Sequence, residues 1–129
     1  MISLTNTSSS TTQKLQAFLA GAAVTTNPAV TVVSHLIPPQ TVVGSVQDKD
    51  RPYPQFTTLA GATETDIADA PPAGYIKVID TINVYNADTT TVSLTICTDD
   101  NGTNRILWKR QLTSGRSFYW SEKSGPQVI

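Results

Sequence analysis

Between Thr89 and Thr98 the chain reads TTTVSLTICT, with Val92, Leu94 and Ile96 at alternate positions and Thr91, Ser93, Thr95 and Cys97 between them. A period of two held over that length specifies a strand with one buried face. Asp99-Asp100-Asn101-Gly102 follows as a hairpin turn, since Asn-Gly accepts the positive φ values such a turn needs. TNRILWKRQL (103–112) returns, Thr113-Ser114-Gly115 turns, and RSFYWS (116–121) runs out again. Lys123-Ser124-Gly125-Pro126 then turns into Gln127-Val128-Ile129. Upstream, GYIKVIDTINVYN (74–86) sets Ile76, Val78, Asp80, Ile82 and Val84 on one face and ends in a turn at Asn86-Ala87-Asp88. Short strands with turns at this spacing predict a β-sandwich or barrel. Composition agrees, because 40 of the 129 residues are Thr, Val or Ile, which are stiff at χ1 and suit a pleated, half-buried surface. The length fits one domain.

The first half of the chain is less regular. Positions 7–12 are all Ser or Thr, and after Met1 only Ile2 and Leu4 in the first twelve residues are sizeable apolar groups. Such a segment reads either as a frayed end or as an extended arm that orders on a neighbouring subunit, with Ile2 and Leu4 as anchors. TTQKLQAFLAGAAV carries two patterns: Leu15, Phe18, Leu19 and Ala22 at helical spacing, and Leu15, Ala17 and Leu19 as a strand face. The helical pattern is slightly the better match. AVTVVSHLI (29–37) is a strand whose imperfect alternation suits cover on both faces. Residues 45–74 hold Pro52, Pro54, Pro71 and Pro72 and half of the acidic residues. QDKDRPYPQF within them is excluded as a central strand, because proline donates no ladder hydrogen bond. This long loop is expected to meet a partner, with Phe56, Leu59 and Ile67 tacking it to the core. The expected organisation is a polar arm at 1–12 and one domain at 13–129.

Several function classes find no support. A net charge of −1 and nine basic residues leave no nucleic-acid footprint. One Cys and one His exclude a disulfide framework and a Cys/His zinc cluster. No basic-then-apolar leader precedes the first strand, and no run of 18 apolar residues occurs. Asn6-Thr7-Ser8 and Asn101-Gly102-Thr103 match the glycosylation pattern, but without an export signal they read as chance. The carboxylates fall almost all in expected turns, where Asp bonds local backbone; Asp80 is the exception, mid-strand, and reads as an edge or outward position. His35 reads as a core or edge histidine bonded to a neighbour, and Cys97 as a small buried or edge residue. Asp99-Asp100-Asn101-Gly102 lacks the alternating ligands and terminal Glu of a calcium loop. No nucleophile elbow, phosphate loop or metalloprotease pair occurs. The expectation is a non-enzyme with no cofactor and no metal. Trp108, Phe118, Tyr119 and Trp120 concentrate near the end, either as core plus a sheet face or as an exposed aromatic platform.

Lys14-Leu15-Gln16, the strand ending in Asn83-Val84-Tyr85-Asn86-Ala87-Asp88, Asp100-Asn101-Gly102-Thr103 before Arg105-Ile106-Leu107-Trp108-Lys109, and Leu112 to Gly115 before an aromatic strand together form a pattern over about three quarters of the chain. In it the chain resembles a family of small virion structural proteins of tailed bacteriophages. Where relatives of that kind often close with Gly-Trp, this chain has Gly125-Pro126-Gln127. The resemblance implies a strand rather than a helix at 13–20, and an antiparallel β-sandwich or jelly-roll-like domain with an extended N-terminal arm. It further implies a capsid cement or decoration protein at the phage head surface, assembled in the host cytoplasm. Its partners would be the major capsid protein and its own copies, often as a trimer, with no nucleic acid and no membrane. Exposed sheet edges could be paired by such symmetric assembly. Ile2, Leu4, Tyr53, Phe56, Trp108, Tyr119 and Trp120 are the expected contacts. A tail, baseplate or head-fibre module, and a carbohydrate- or host-recognition module using the C-terminal aromatics, stand as alternatives.

Overall fold

The computed structural model describes residues 1–7, 12–39 and 53–129. It contains β1 (Ile2–Thr5), β2 (Gln13–Leu19), β3 (Ala29–Ile37), β4 (Tyr53–Thr58), β5 (Thr65–Ala68), β6 (Ile76–Tyr85), β7 (Val92–Asp100), β8 (Thr103–Leu112), β9 (Ser117–Ser121) and β10 (Gly125–Val128). No helix occurs among the described residues. The strands form two antiparallel sheets, one ordered β10-β9-β6-β3-β4 and the other β5-β2-β7-β8. β1 and β9 lie end to end along one edge of β6, β1 against Ile76–Ile79 and β9 against Thr81–Tyr85. The inner faces of both sheets meet in one apolar cluster, so the domain is an all-β sandwich.

The regular pattern from Gly74 onward reappears as four strands in succession. The β7–β8 hairpin closes on Asn101 and Gly102, whose φ values of 51° and 90° are those of a two-residue hairpin loop. Leu94 and Ile96 face inward on β7, between β2 and β8, and both are buried. Gly125 (φ 69°) opens β10, which pairs with β9.

β2 is a strand. Leu15, Ala17 and Leu19 face the core, while Phe18 is only half-buried on the outer side. β5 and β7 flank β2 and take up its backbone groups, so ladder bonding on both sides overrides a marginal helical pattern. In β3, Val30, Val32 and Ser34 are buried and the alternate residues half-exposed. Among the described residues no second layer covers those outer side chains, which are screened by neighbouring strands.

Three expectations need correction. The arm begins as a strand: Ile2–Thr5 pair with β6, and Leu4 is fully buried in this chain's own core. Four residues with two apolar side chains suffice because β6 supplies a preformed edge. Ser8–Thr11 lie outside the described residues. The long loop yields two strands, β4 and β5, each at one edge of a sheet, where Pro54 is tolerated because the outward N–H has no partner to lose. Leu59 and Ile67 are buried as expected, but Phe56 is 74% exposed; residues 45–52 lie outside the described set. The third correction concerns β6. Val33 pairs with Thr81 and Ser34 with Ile79, so Asp80 is an extra residue, a bulge. The bulge reverses the alternation, and Ile79 replaces Asp80 on the buried face with Ile82 and Val84.

The turn after β6 carries the most densely bonded polar groups. Asn86 and Asp88 are both fully buried. Asn86 Nδ2 donates to the carbonyls of Thr90 (3.0 Å) and Leu112 (2.8 Å), and its Oδ1 accepts from Asp88 N (2.9 Å). The Asp88 carboxylate accepts from the Thr25 hydroxyl (2.7 Å), the N–H groups of Val24 (2.9 Å), Thr25 (2.8 Å) and Thr89 (2.9 Å), and the Thr90 hydroxyl (3.1 Å). It thereby clamps the β2–β3 connection onto the β6–β7 turn. The Thr25 hydroxyl and the surrounding N–H donors hold its carboxyl far below the usual carboxylate range, against the opposing effect of desolvation. With the folded-state pKa depressed, the stability this group contributes is fully present above about pH 4, where the unfolded carboxyl is also ionised, and drains away as pH falls below that. Asp88→Asn is expected to lower the melting temperature at pH 7 and to flatten its fall between about pH 4 and 2. Melting curves across that range test this; an unchanged acid slope would place the acid-sensitive group elsewhere.

Candidate docking surface

Charge divides unequally between the sheets. The four-stranded sheet carries Lys14, Asp66, Asp99, Asp100, Arg105, Lys109 and Arg110 in its strands. The six strands of the larger sheet carry only Lys77 and Asp80, beside the single His35. Lys77 points inward, opposite Leu4, and donates from Nζ to the Asp69 carbonyl at 2.6 Å. Asp80, pushed outward by its bulge, sets both carboxylate oxygens 2.9 and 3.0 Å from His35 Nδ1. The histidine therefore does have the bonded neighbour expected for it, and the outward position expected for Asp80 is observed.

Among the described residues of its strands, the rest of that outer face carries no charged side chain. The cross-strand register aligns Phe56, Thr31, Asn83, Tyr119 and Gln127 in one row over five strands. Thr58, Ala29, Tyr85 and Ser117 form the row beside it, continued by Ile129, whose backbone bonds Ser117 in both directions. Phe56, Tyr85 (45%), Ile129 (55%) and, at the other end of β3 and β6, the paired Ile37 and Ile76 are the exposed large groups of the face, with Tyr119 half-buried. Phe56 and Tyr119 stand three strand spacings apart, about 14 Å.

Of the residues expected to contact a partner, Phe56 and Tyr119 are brought to this face. Tyr53 has its backbone in β4, and its side chain lies outside the described residues. Leu4 and Trp120 (5% exposed) are core residues, and Ile2 is half-buried against the core. Trp108 is also half-buried, its ring centroid 5.5 Å from Phe118 and 5.9 Å from Trp120. Since β8 and β9 belong to different sheets, this cluster joins the sheets at one side of the sandwich, which is why the aromatics do not form an outward platform. Sequence reasoning missed Tyr85 and Ile129. The alternation of Thr81, Asn83 and Tyr85 opposite the buried Ile82 and Val84 was the available signal.

Other chemistry is sparse. Cys97 is fully buried, and burial, reinforced by the Glu64 and Asp99 carboxylates, pushes its thiol up to about 11, so it is an inert packing group. A cleft of about 310 Å³ at one end of the sandwich is lined by Ser34, Leu36, Gln55, Asp69 and Lys77, among others; desolvation lowers the Lys77 pKa there, partly offset by Asp69. Among the described residues no group of three His, Cys, Asp or Glu is placed to hold a metal ion. Comparison with known protein families, curated proteins and solved structures finds no match to this chain.

Proposed function

We propose that this chain is a non-enzymatic structural protein of a phage virion, a cement or decoration protein that stabilises the major capsid shell. The observation that carries the reading is the outer face of the larger sheet, uncharged among the described residues, mounted on a sandwich four of whose edge strands are guarded against further pairing. β4 carries Pro54 and β10 carries Pro126, β5 is four residues long, and β8 is charged and bulged at Leu107. A protein so built works by burying a face, and near-neutral net charge suits a shell surface better than packaged nucleic acid. The resemblance supplies the setting. The recognition alternative loses support, because Trp120 is in the core and Trp108 is half-buried against Phe118. Particles lacking the protein are expected to assemble and to rupture at lower temperature or under low-salt shock. Adding the purified protein back should restore their resistance, because many weak contacts sum over the shell. Particles of unaltered robustness that fail to adsorb to cells would overturn the reading in favour of host recognition.

A further inference from the structure

We propose that a basic groove on the outer face of the four-stranded sheet takes an acidic segment of a protein partner, whose Asp or Glu carboxylates seat on Lys109 and Arg110. This goes beyond the structural reading above, which rests on the opposite sheet. The groove has a volume of about 280 Å³ and is lined by Ala20, Ser93, Thr95, Lys109, Arg110 and Gln111, among others. It lies where β2 ends, with Ala20 N donating to the Ser93 carbonyl at 3.0 Å, at the end of β7 away from the Asn101-Gly102 hairpin. The register places Lys109 beside Thr95 and Gln111 beside Ser93. Arg110 belongs by alternation to the other face. On the edge strand β8, however, its guanidinium turns back along the chain, and Nη1 donates to the Lys109 carbonyl at 2.9 Å. Both cations thus serve one groove.

Charge and hydrogen bonding both specify the occupant. Among the described residues no carboxylate lines the groove or pairs with either cation. From Asn101 to Ile129 the cations Arg105, Lys109, Arg110, Arg116 and Lys123 stand against one carboxylate side chain, Glu122, and the Met1 nitrogen holds that one at 2.8 Å. Thr95 is only 8% exposed and lines the groove, yet among the described residues nothing bonds its hydroxyl. Buried polar groups are as a rule bonded, so this hydroxyl is left for a partner from outside. Ser93 and Gln111 add donors beside it, and the Arg110 guanidinium keeps the free N–H groups that grip a carboxylate as a fork. Two cations are too few for the run of phosphate contacts that holds nucleic acid. From the end of β2 to β8 the groove crosses two strand spacings, about 10 Å, the length of about three residues of extended chain.

A hexaglutamate peptide titrated into the isotope-labelled chain is expected to shift the backbone amide resonances of Ser93, Thr95, Lys109, Arg110 and Gln111, and to bind more weakly as salt rises. Arg110→Glu should raise the dissociation constant about tenfold, and Thr95→Val, which keeps the shape and removes the hydroxyl, about threefold. Arg105→Glu makes the same change in net charge about 15 Å away along β8. That exceeds the screening length of about 10 Å at about 0.1 M salt, so binding should be unchanged. The double variant Lys109→Glu, Arg110→Glu should bind hexalysine in place of hexaglutamate, which excludes misfolding as the cause of the loss. Equal losses at Arg105 and Arg110, no amide shifts at the groove, or tighter binding of single-stranded DNA of equal charge would overturn the proposal. So would self-association that Arg110→Glu abolishes, since the occupant would then be a second copy. Particle assays separate the groove from the shell role. Particles made robust by a chain that does not bind the peptide refute the groove alone. A chain that binds the peptide and leaves particles no more robust upholds the groove and refutes the shell role.

Discussion

Replacing Phe118 by Ala is expected to destabilise the fold by about 3–5 kcal/mol, the range for deleting a fully buried aromatic ring. Phe118 has no exposed surface and sits on β9 opposite Val84, facing the other sheet. Its ring is one of two that receive Trp108 from β8, so its removal opens a void at the point where the sheets are joined on that side. Trp120, bound to a backbone already paired on both edges by β6 and β10, cannot swing in to fill it. Chemical denaturation gives the loss in stability, and near-ultraviolet circular dichroism should weaken in parallel as Trp108 loses its fixed neighbour. A loss below about 1 kcal/mol would mean that the two sheets close over the gap.

Leu94→Ala and Ile96→Ala are each expected to cost about 2–5 kcal/mol, with Ile96 toward the upper end. The two share the inner face of β7, the strand that β2 and β8 both pair with. Ile96 lies between Ala17 on one side and Trp108 on the other. Ala17 is too small to expand into the space, and Trp108 is fixed by its contacts with Phe118 and Trp120. Leu94 is flanked by Leu19 and by Arg110, whose longer side chains can shift, so its cavity should collapse further. Denaturant titration of both variants measures the difference. Losses under about 0.5 kcal/mol at both positions would mean that the opposite face of β7 is buried, since a one-residue slip exchanges the faces.

The surface was less legible than the core. Phe56 was expected to tack its segment to the interior, and it stands outward because Pro54 and Phe56 occupy the outer positions of β4 while Gln55 and Thr57 take the inner ones. Trp120 was expected to meet a partner and is buried because it shares the inner face of β9 with Phe118. A strand sequence states which residues share a face, but when both faces carry apolar groups it does not state which face looks inward. Tyr119 could be separated from Phe118 and Trp120 by alternation alone, and the structure keeps that separation. The uncharged face itself was invisible in the sequence, because its rows are assembled from five strands drawn from residues 29 to 129.

By itself the sequence determined the all-β class, the strands from Gly74 to the end, the Asn101-Gly102 hairpin and the buried face of β7. Each of these is local: period-two alternation, β-branched stiffness and turn chemistry act over a few neighbouring residues. The tertiary structure alone decided that Gln13–Leu19 is a strand, that Ile2–Thr5 completes the larger sheet, and that Asp80 bulges outward to meet His35. Those outcomes depend on which backbone edge was available for pairing: β5 and β7 enclosed β2, the free half of the β6 edge took up β1, and the β3–β6 register left Asp80 without an opposite residue. Pairing between distant strands is a property of the assembled sheet, which no local pattern encodes.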